Sequence, residues 1–255
     1  MFPPTLLSFL VCLALLMAPG SPQHTSPESA ALGSKTWVGH YQEVEEYLRT
    51  AECVALEDIG PKTQSLPALK RCVLRPGGPV ARMAWKSVPP GGYRGFQESY
   101  KAGIAAYELD KLLKLDMVPP TVERELQGHT GSATFWVEGV VDLKAGTSGA
   151  PDPARWEKQL ARMAMFDSLT GNRDRNLANA LHDPAWNLIL IDHSRAFGAG
   201  DEPLADLSRI DKELWGRIEA LTRPQLDAAL SRWLEQYQIR AIEERRERMR
   251  AAIGR

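Results

Sequence analysis

Cysteine is scarce in this chain. Cys12, Cys53 and Cys72 are the three in 255 residues, too few to staple a small disulfide-scaffolded fold. Cys53 and Cys72 either bridge one another or stand as two small buried hydrophobes. Neither has metal-ligand spacing with His129, His182 or His193, so a structural zinc site is not expected. An excess of charge is lacking too. With 31 basic and 32 acidic side chains the formal net charge is −1, and nothing recommends nucleic acid or an anionic membrane as a partner. No internal repeat of solenoid or propeller type is found.

Long apolar runs are limited to one. Leu6 to Met17, "LLSFLVCLALLM", is too short to span a bilayer as a helix. It lacks a preceding Lys or Arg, since the first basic side chain is Lys35. Small, polar and Pro-rich residues follow it. That order reads as a secretory signal over residues 1–20 and a disordered leader over 21–35, which places the protein in an export or secretory route with no membrane span after processing. A short uncleaved anchor, or a misassigned start with a cytoplasmic protein, is the alternative. Val11 before Cys12 argues against a lipoprotein cleavage site.

What remains is ordinary for a soluble globular chain, 44% hydrophobic and 25% charged, and long enough for one large domain or two lobes. Strand-like runs lie near Cys53 to Glu57 and on either side of the turn "RPGG", with Lys86 near the end of the second arm. "VPPGGYRG" reads as a Gly/Pro loop. "FQESYKAGIAAYELDKLLKL" reads as a helix with Ala102, Ala105, Leu109, Leu112 and Leu113 on one stripe, ended by "DMVPP". "TVERELQGHTGSATFWVEG" reads as a strand pair turning at Gly128 to Gly131. "GTSGAPDP" marks a boundary, after which a helix from Trp156, the strand "NLILID" and several further helices follow. The order predicts α+β in two lobes, residues 36–140 and 141–255.

Polar residues around that last strand carry the chemistry. Asp174 and Asn179 are five apart in "DRNLAN", and Asp192 closes the apolar run "LILID" 18 residues after Asp174. Phosphoryl transfer needs a cation on the phosphates, oxygen ligands for magnesium or manganese, and a carboxylate to orient or deprotonate the acceptor. Taken singly these residues read as turn and helix caps. Together, after a helix, they read as a catalytic loop and a metal-binding strand end.

"GNRDRNLAN" followed by "LILIDHSRAF" resembles the atypical kinases, including the phosphatidylinositol 3-kinases, the HipA-type kinases and above all the secreted Golgi casein kinase-like family. The helix running into "VPP" is similar to the same segment in bacterial relatives of that family. The resemblance spans about Ala51 to Phe197 and implies a bilobal kinase-like fold, a β-rich first lobe with one main helix and a mostly helical second lobe. It implies ATP and Mg or Mn as cofactors, and a hydroxyl acceptor on a protein, lipid or sugar. By the same resemblance Asp174 is the catalytic-loop acid, Asn179 and Asp192 are metal ligands, and Lys86 grips the nucleotide phosphates. The loop Glu57 to Ser65, with Gly60 as its one glycine, would cover those phosphates, and Trp136, Val137 and Glu138 would form the hinge at adenine.

One position departs from the pattern. The family places Glu just before "IAAY", where this chain has Gly103. On a continuous helix Glu98 and Glu108 lie about 140° round from it, so neither is expected to replace it and Lys86 is expected to lack its acid. Gly103→Glu should then raise transfer. Three functions compete: an active kinase-like phosphotransferase, a degenerate kinase fold acting as an interaction module, and transfer of another nucleotide fragment such as adenylyl. A hydrolase triad fares worse, because Asp192, His193 and Ser194 are contiguous and a triad converges from separate segments.

Overall fold

The computed structural model of the protein describes residues 34–59, 69–93, 96–145, 149–200 and 204–254. The expected signal, the expected leader up to residue 33, and Gly60 lie outside them. Lys35, which closes the expected leader, is already buried, its Nζ donating to the Asp116 carbonyl at 2.6 Å.

A five-stranded antiparallel sheet carries the first half of the chain. Its strands are β1 (Cys53–Asp58), β2 (Lys70–Leu74), β3 (Arg82–Lys86), β6 (Thr121–Leu126) and β7 (His129–Phe135), in the order β1-β2-β3-β7-β6. Side chains alternate across a strand. Met83 and Trp85 of β3 are buried, while Arg82, Ala84 and Lys86 project from the opposite face. The face holding Cys72, Leu74, Met83, Val122 and Ala133 packs on Val44 and Leu48 of helix α1 (Tyr41–Thr50) and on Trp37. Burial of that face leaves the other, with Ala84, Lys86, Ser132 and Thr134, turned toward the site. Cys53 and Cys72 form a disulfide between β1 and β2, so the bridged alternative holds.

β6 and β7 turn through Gln127 and Gly128, both at positive φ (53° and 75°), as a two-residue hairpin of this twist requires. Gly131 is inside β7 rather than in the turn. A Cβ there would stand 2.6 Å from the Lys86 carbonyl oxygen, so the β3–β7 approach needs glycine.

The segment before the main helix differs from expectation. "GGY" and "FQE" are a short antiparallel hairpin, β4 (Gly91–Tyr93) and β5 (Phe96–Glu98), not a loop and a first helical turn. Ser99 then caps α2 (Tyr100–Leu113), its Oγ accepting from the Lys101 N–H. After Lys114 closes α2 in the left-handed conformation, buried Asp110 accepts the N–H groups of Asp116, Met117 and Val118, each at 3.0 Å. Those three bonds fasten the "VPP" turn and set the start of β6.

The second half is built on α3 (Pro153–Thr170), capped by Asp152 and ended at Gly171 with φ 63°. A three-stranded sheet of order β10-β9-β8 joins Val141–Asp142 (β8), Ala180–His182 (β9) and Leu188–Leu190 (β10). Helices α4 (Lys212–Glu219), α5 (Arg223–Leu230) and α6 (Gln236–Ile253) complete it. Apolar stripes of α2 (Ala105, Leu109, Leu113) meet those of α3 (Met165, Phe166, Leu169) and β10 (Leu188, Leu190) in the larger core. The α+β, two-lobed expectation is borne out. Among the described residues no helix is long and apolar enough to cross a membrane.

Candidate active site

Lys86, at the end of β3, opposes Ser132 of β7 and faces away from the α1 layer. Its Nζ lies 2.9 Å from Asp192 Oδ1, 2.9 Å from Glu98 Oε1 and 2.8 Å from Ser194 Oγ. Three segments remote in sequence therefore meet at one ammonium. Ser194 Oγ is also 2.9 Å from each of the two carboxylates. As a hydroxyl with one proton, it accepts from Lys86 and donates to one of them.

Glu98 is the residue the sequence reading dismissed. The 140° argument assumed a helix running through it, but Glu98 ends β5 and precedes the Ser99 cap. An extended backbone there aims its carboxylate at Lys86, and the expectation of an unpartnered lysine is overturned. The signal that could have found it was Ser99, a strong N-cap residue immediately before "YKAGIAAY".

Asp192 follows β10 with φ 54°, a left-handed conformation uncommon outside glycine. That twist carries its carboxylate out of the sheet line toward Lys86. Burial alone would raise the Asp192 carboxyl; Lys86 first, then Ser194, more than reverse it and leave it below the ordinary 3.8. Glu98 behaves likewise: burial raises it, and Lys86, Ser194 and Arg195 bring it below 4.5. Burial lowers the Lys86 ammonium, but Asp192 and Glu98 outweigh that and raise it above 10.5. All three groups are thus held charged at neutral pH.

The loop between α3 and β9 is tied down from beneath. Arg175 donates to both oxygens of buried Asp167, at 2.9 and 3.0 Å, and to the Ile191 carbonyl at 3.1 Å. It also donates to the Asn179 carbonyl and meets His193 Nε2 at 2.8 Å. One guanidinium therefore fixes the Asp174–Asn179 loop to the residue before Asp192. Burial, and then Arg175, push His193 well below the ordinary 6.5, so it stands as a neutral acceptor toward Arg175. Arg175 and Asp167 were not singled out from sequence; only folding joins them to both motifs.

One cavity of about 470 Å³ lies between the halves, lined by Lys86, Asn179, Asp192, Trp136 and Val137 among others. That is within the size of small-molecule sites. Gly103 also lines it, and a Cβ there would meet nothing within 4 Å. Two predicted residues lie outside the lining. Glu138 is outside the lining, its carboxylate paired with Arg82 of β3. Asp174 is likewise outside it, on the neighbouring loop, where Arg195 Nη1 reaches its Oδ2 at 3.2 Å. Arg195 Nε lies 3.5 Å from Glu98 Oε2, linking Asp174 to the lysine cluster.

Solved structures match this arrangement of lobes. The crystal structure of the Golgi casein kinase with Mn/ADP bound superposes with a TM-score of 0.62 at 15% identity, over 88% of this chain and 78% of that one. The structure of hydra Fam20 with sugar gives 0.61 at 16% identity, over 85% and 88%. The chain has an atypical kinase-like fold. No family model matches the sequence, and no curated protein matches it. The atypical kinase-like resemblance seen in two short motifs thus extends to the tertiary arrangement of most of the chain, at an identity too low for sequence to carry the relationship by itself.

Proposed function

We propose that this protein is an atypical kinase-like phosphotransferase that moves the γ-phosphoryl of ATP to a hydroxyl acceptor with Mg or Mn. The observation that carries the reading is that Lys86 and Asp192, paired at 2.9 Å, line one cavity with Asn179, while Glu98, outside that lining, pairs with the same lysine. A lysine held between two carboxylates is what a kinase fold needs to place a cation beside phosphate.

The residues fit a divalent ion with nucleotide. Among the described residues no group of three or more His, Cys, Asp or Glu forms a ready metal cage. Magnesium sites on nucleotides need one or two carboxylates, the phosphates supplying the rest. Asp192 and Asn179 offer such oxygens. Counting charges, Asp174, Glu98 and Asp192 exceed Lys86 and Arg195 by one, so added positive charge is favoured.

When bound, the ion neutralises charge on the phosphoryl oxygens. Lys86 draws phosphate oxygens toward the cluster. Trp136 and Val137 line the far end, where backbone groups of the β7–β8 connection would meet adenine; Glu138, turned to Arg82, would contribute only its backbone. Asp174 takes the proton of the acceptor hydroxyl as that oxygen bonds to the γ-phosphorus. The bond from phosphorus to the bridging oxygen breaks, and ADP leaves. Glu98 answers one ground for the non-catalytic module, a lysine lacking its acid; the other, the glycine-poor loop, lies mostly outside the described residues.

ATP with Mn or Mg should raise the thermal midpoint of the protein by several degrees, since ligand at 100 times Kd adds about 2.7 kcal/mol. Asp192→Ala should remove that rise. No rise with any nucleotide and metal would overturn the reading.

A further inference from the structure

We propose that Arg195 is a positioning residue for the transfer step, holding the acceptor-side carboxylate of Asp174 in register with the lysine cluster. The inference rests on the phosphotransferase reading above and concerns a residue to which that reading gives no part in the transfer step. A single loop after β10 supplies Asp192, Ser194 and Arg195. Asp192 and Ser194 turn to Lys86 at 2.9 and 2.8 Å. Arg195, one residue on, turns to the other side. Its Nη1 donates to Asp174 Oδ2 at 3.2 Å, and its Nε stands 3.5 Å from Glu98 Oε2. That Glu98 oxygen is buried and accepts no hydrogen bond, so the guanidinium is the charge facing it.

Asp174 has no comparable anchor of its own. Its carboxylate is 36% exposed, whereas Arg195 is 27% and Glu98 5% exposed. An isolated exposed ion pair orders a side chain weakly. A guanidinium that faces a buried carboxylate at its other edge is pre-ordered, because its planar fork holds the Nε and Nη1 donors at a fixed spacing. The consequence is a continuous line of charge, Asp192–Lys86–Glu98–Arg195–Asp174, from the phosphate side to the acceptor side. The bond to Arg195 engages Oδ2 and leaves Oδ1 to take the acceptor proton. Misplacing a catalytic group by about 1 Å can cost roughly 100-fold in rate, so this tie is expected to act on turnover rather than on nucleotide binding.

The test compares wild type, Arg195→Ala and Arg195→Lys in the full chain. Readouts are thermal stabilisation by ATP with Mn, and turnover of labelled ATP to protein, to added hydroxyl compounds and to water. Expected for Arg195→Ala is a fall in kcat of roughly 10- to 100-fold, with KM for ATP and the nucleotide-dependent stabilisation unchanged. Arg195→Lys should stay low, because lysine has no donor at the Nε position that faces Glu98. Millimolar guanidinium should restore part of the turnover of Arg195→Ala and none of that of Arg195→Lys or wild type. If the Ala variant does not fold, the Lys variant carries the comparison. Turnover of either variant within twofold of wild type overturns this inference alone. So does a parallel loss of turnover and nucleotide stabilisation, which marks general support of the fold. A wild-type chain that binds no nucleotide overturns the proposed function, and this inference with it.

Discussion

Replacing Glu98 by Gln tests the part of the site that secondary structure decided. The carboxylate is 5% exposed and sits 2.9 Å from Lys86 Nζ. Removing one partner of a fully buried pair costs about 3–5 kcal/mol, chiefly through the charge left behind. Lys86 is not left behind here, because Asp192 and Ser194 stay at 2.9 and 2.8 Å, and Gln can still accept from Ser194. The loss is closer to one charge-assisted hydrogen bond, about 2 kcal/mol. For a domain of this size it lowers Tm by about 4–8 °C. Its pH dependence has a definite sign. The Glu98 carboxyl is held below 4.5 in the folded state, so its contribution is complete above that value and disappears as pH falls through the lower, folded one. Thermal melts of wild type and Glu98→Gln should therefore differ at pH 7 and draw together as pH falls below 4.5. A deficit that stays constant over that range, or no deficit at pH 7, refutes the reasoning. Gly103→Glu extends the test. A side chain fits at Gly103, where a Cβ meets nothing within 4 Å. Alone it should leave ATP turnover unchanged, since Lys86 already has its acid, and in the Glu98→Gln background it should restore part of what was lost.

Two further outcomes are expected. Asp174→Asn should keep stabilisation by ATP with Mn while lowering phosphoryl transfer by roughly 10²- to 10⁴-fold, the usual contribution of a general base, as measured with labelled ATP; unchanged transfer would remove Asp174 from the mechanism. Cys53→Ser with Cys72→Ser opens a loop of 19 residues' separation and should cost about 3 kcal/mol in denaturant melts, a difference that reducing agent should abolish.

Strands, helices and the two-lobed order were largely legible, because apolar period 2 on β3, the continuous apolar run of β10 and period 3.6 on α2 and α3 are local patterns. The loop and the strand end that hold the acidic motif were legible for the same reason: Asp174, Asn179 and Asp192 lie within 19 consecutive residues. Lys86 was reached only through the resemblance, since a lysine at a strand end is ordinary. Glu98 was misread because a helix was started four residues early, and an angle measured on a helix that does not exist carries no information. Trp136 and Val137 line the cavity, whereas the Glu138 carboxylate pairs with Arg82.

By itself the sequence determined which residues bear charge, which faces are apolar, and the loop and strand end that hold Asp174, Asn179 and Asp192. Tertiary structure alone decided that Lys86 pairs with Glu98, that Arg175 locks the loop to Ile191, and that Arg195 reaches from Asp174 to Glu98. The physical reason is range. Hydrophobic period and capping act over a few residues, whereas an ion pair between residues 86 and 98 or 192 depends on how a hairpin, a capped helix and a left-handed aspartate orient their side chains once the cores have closed.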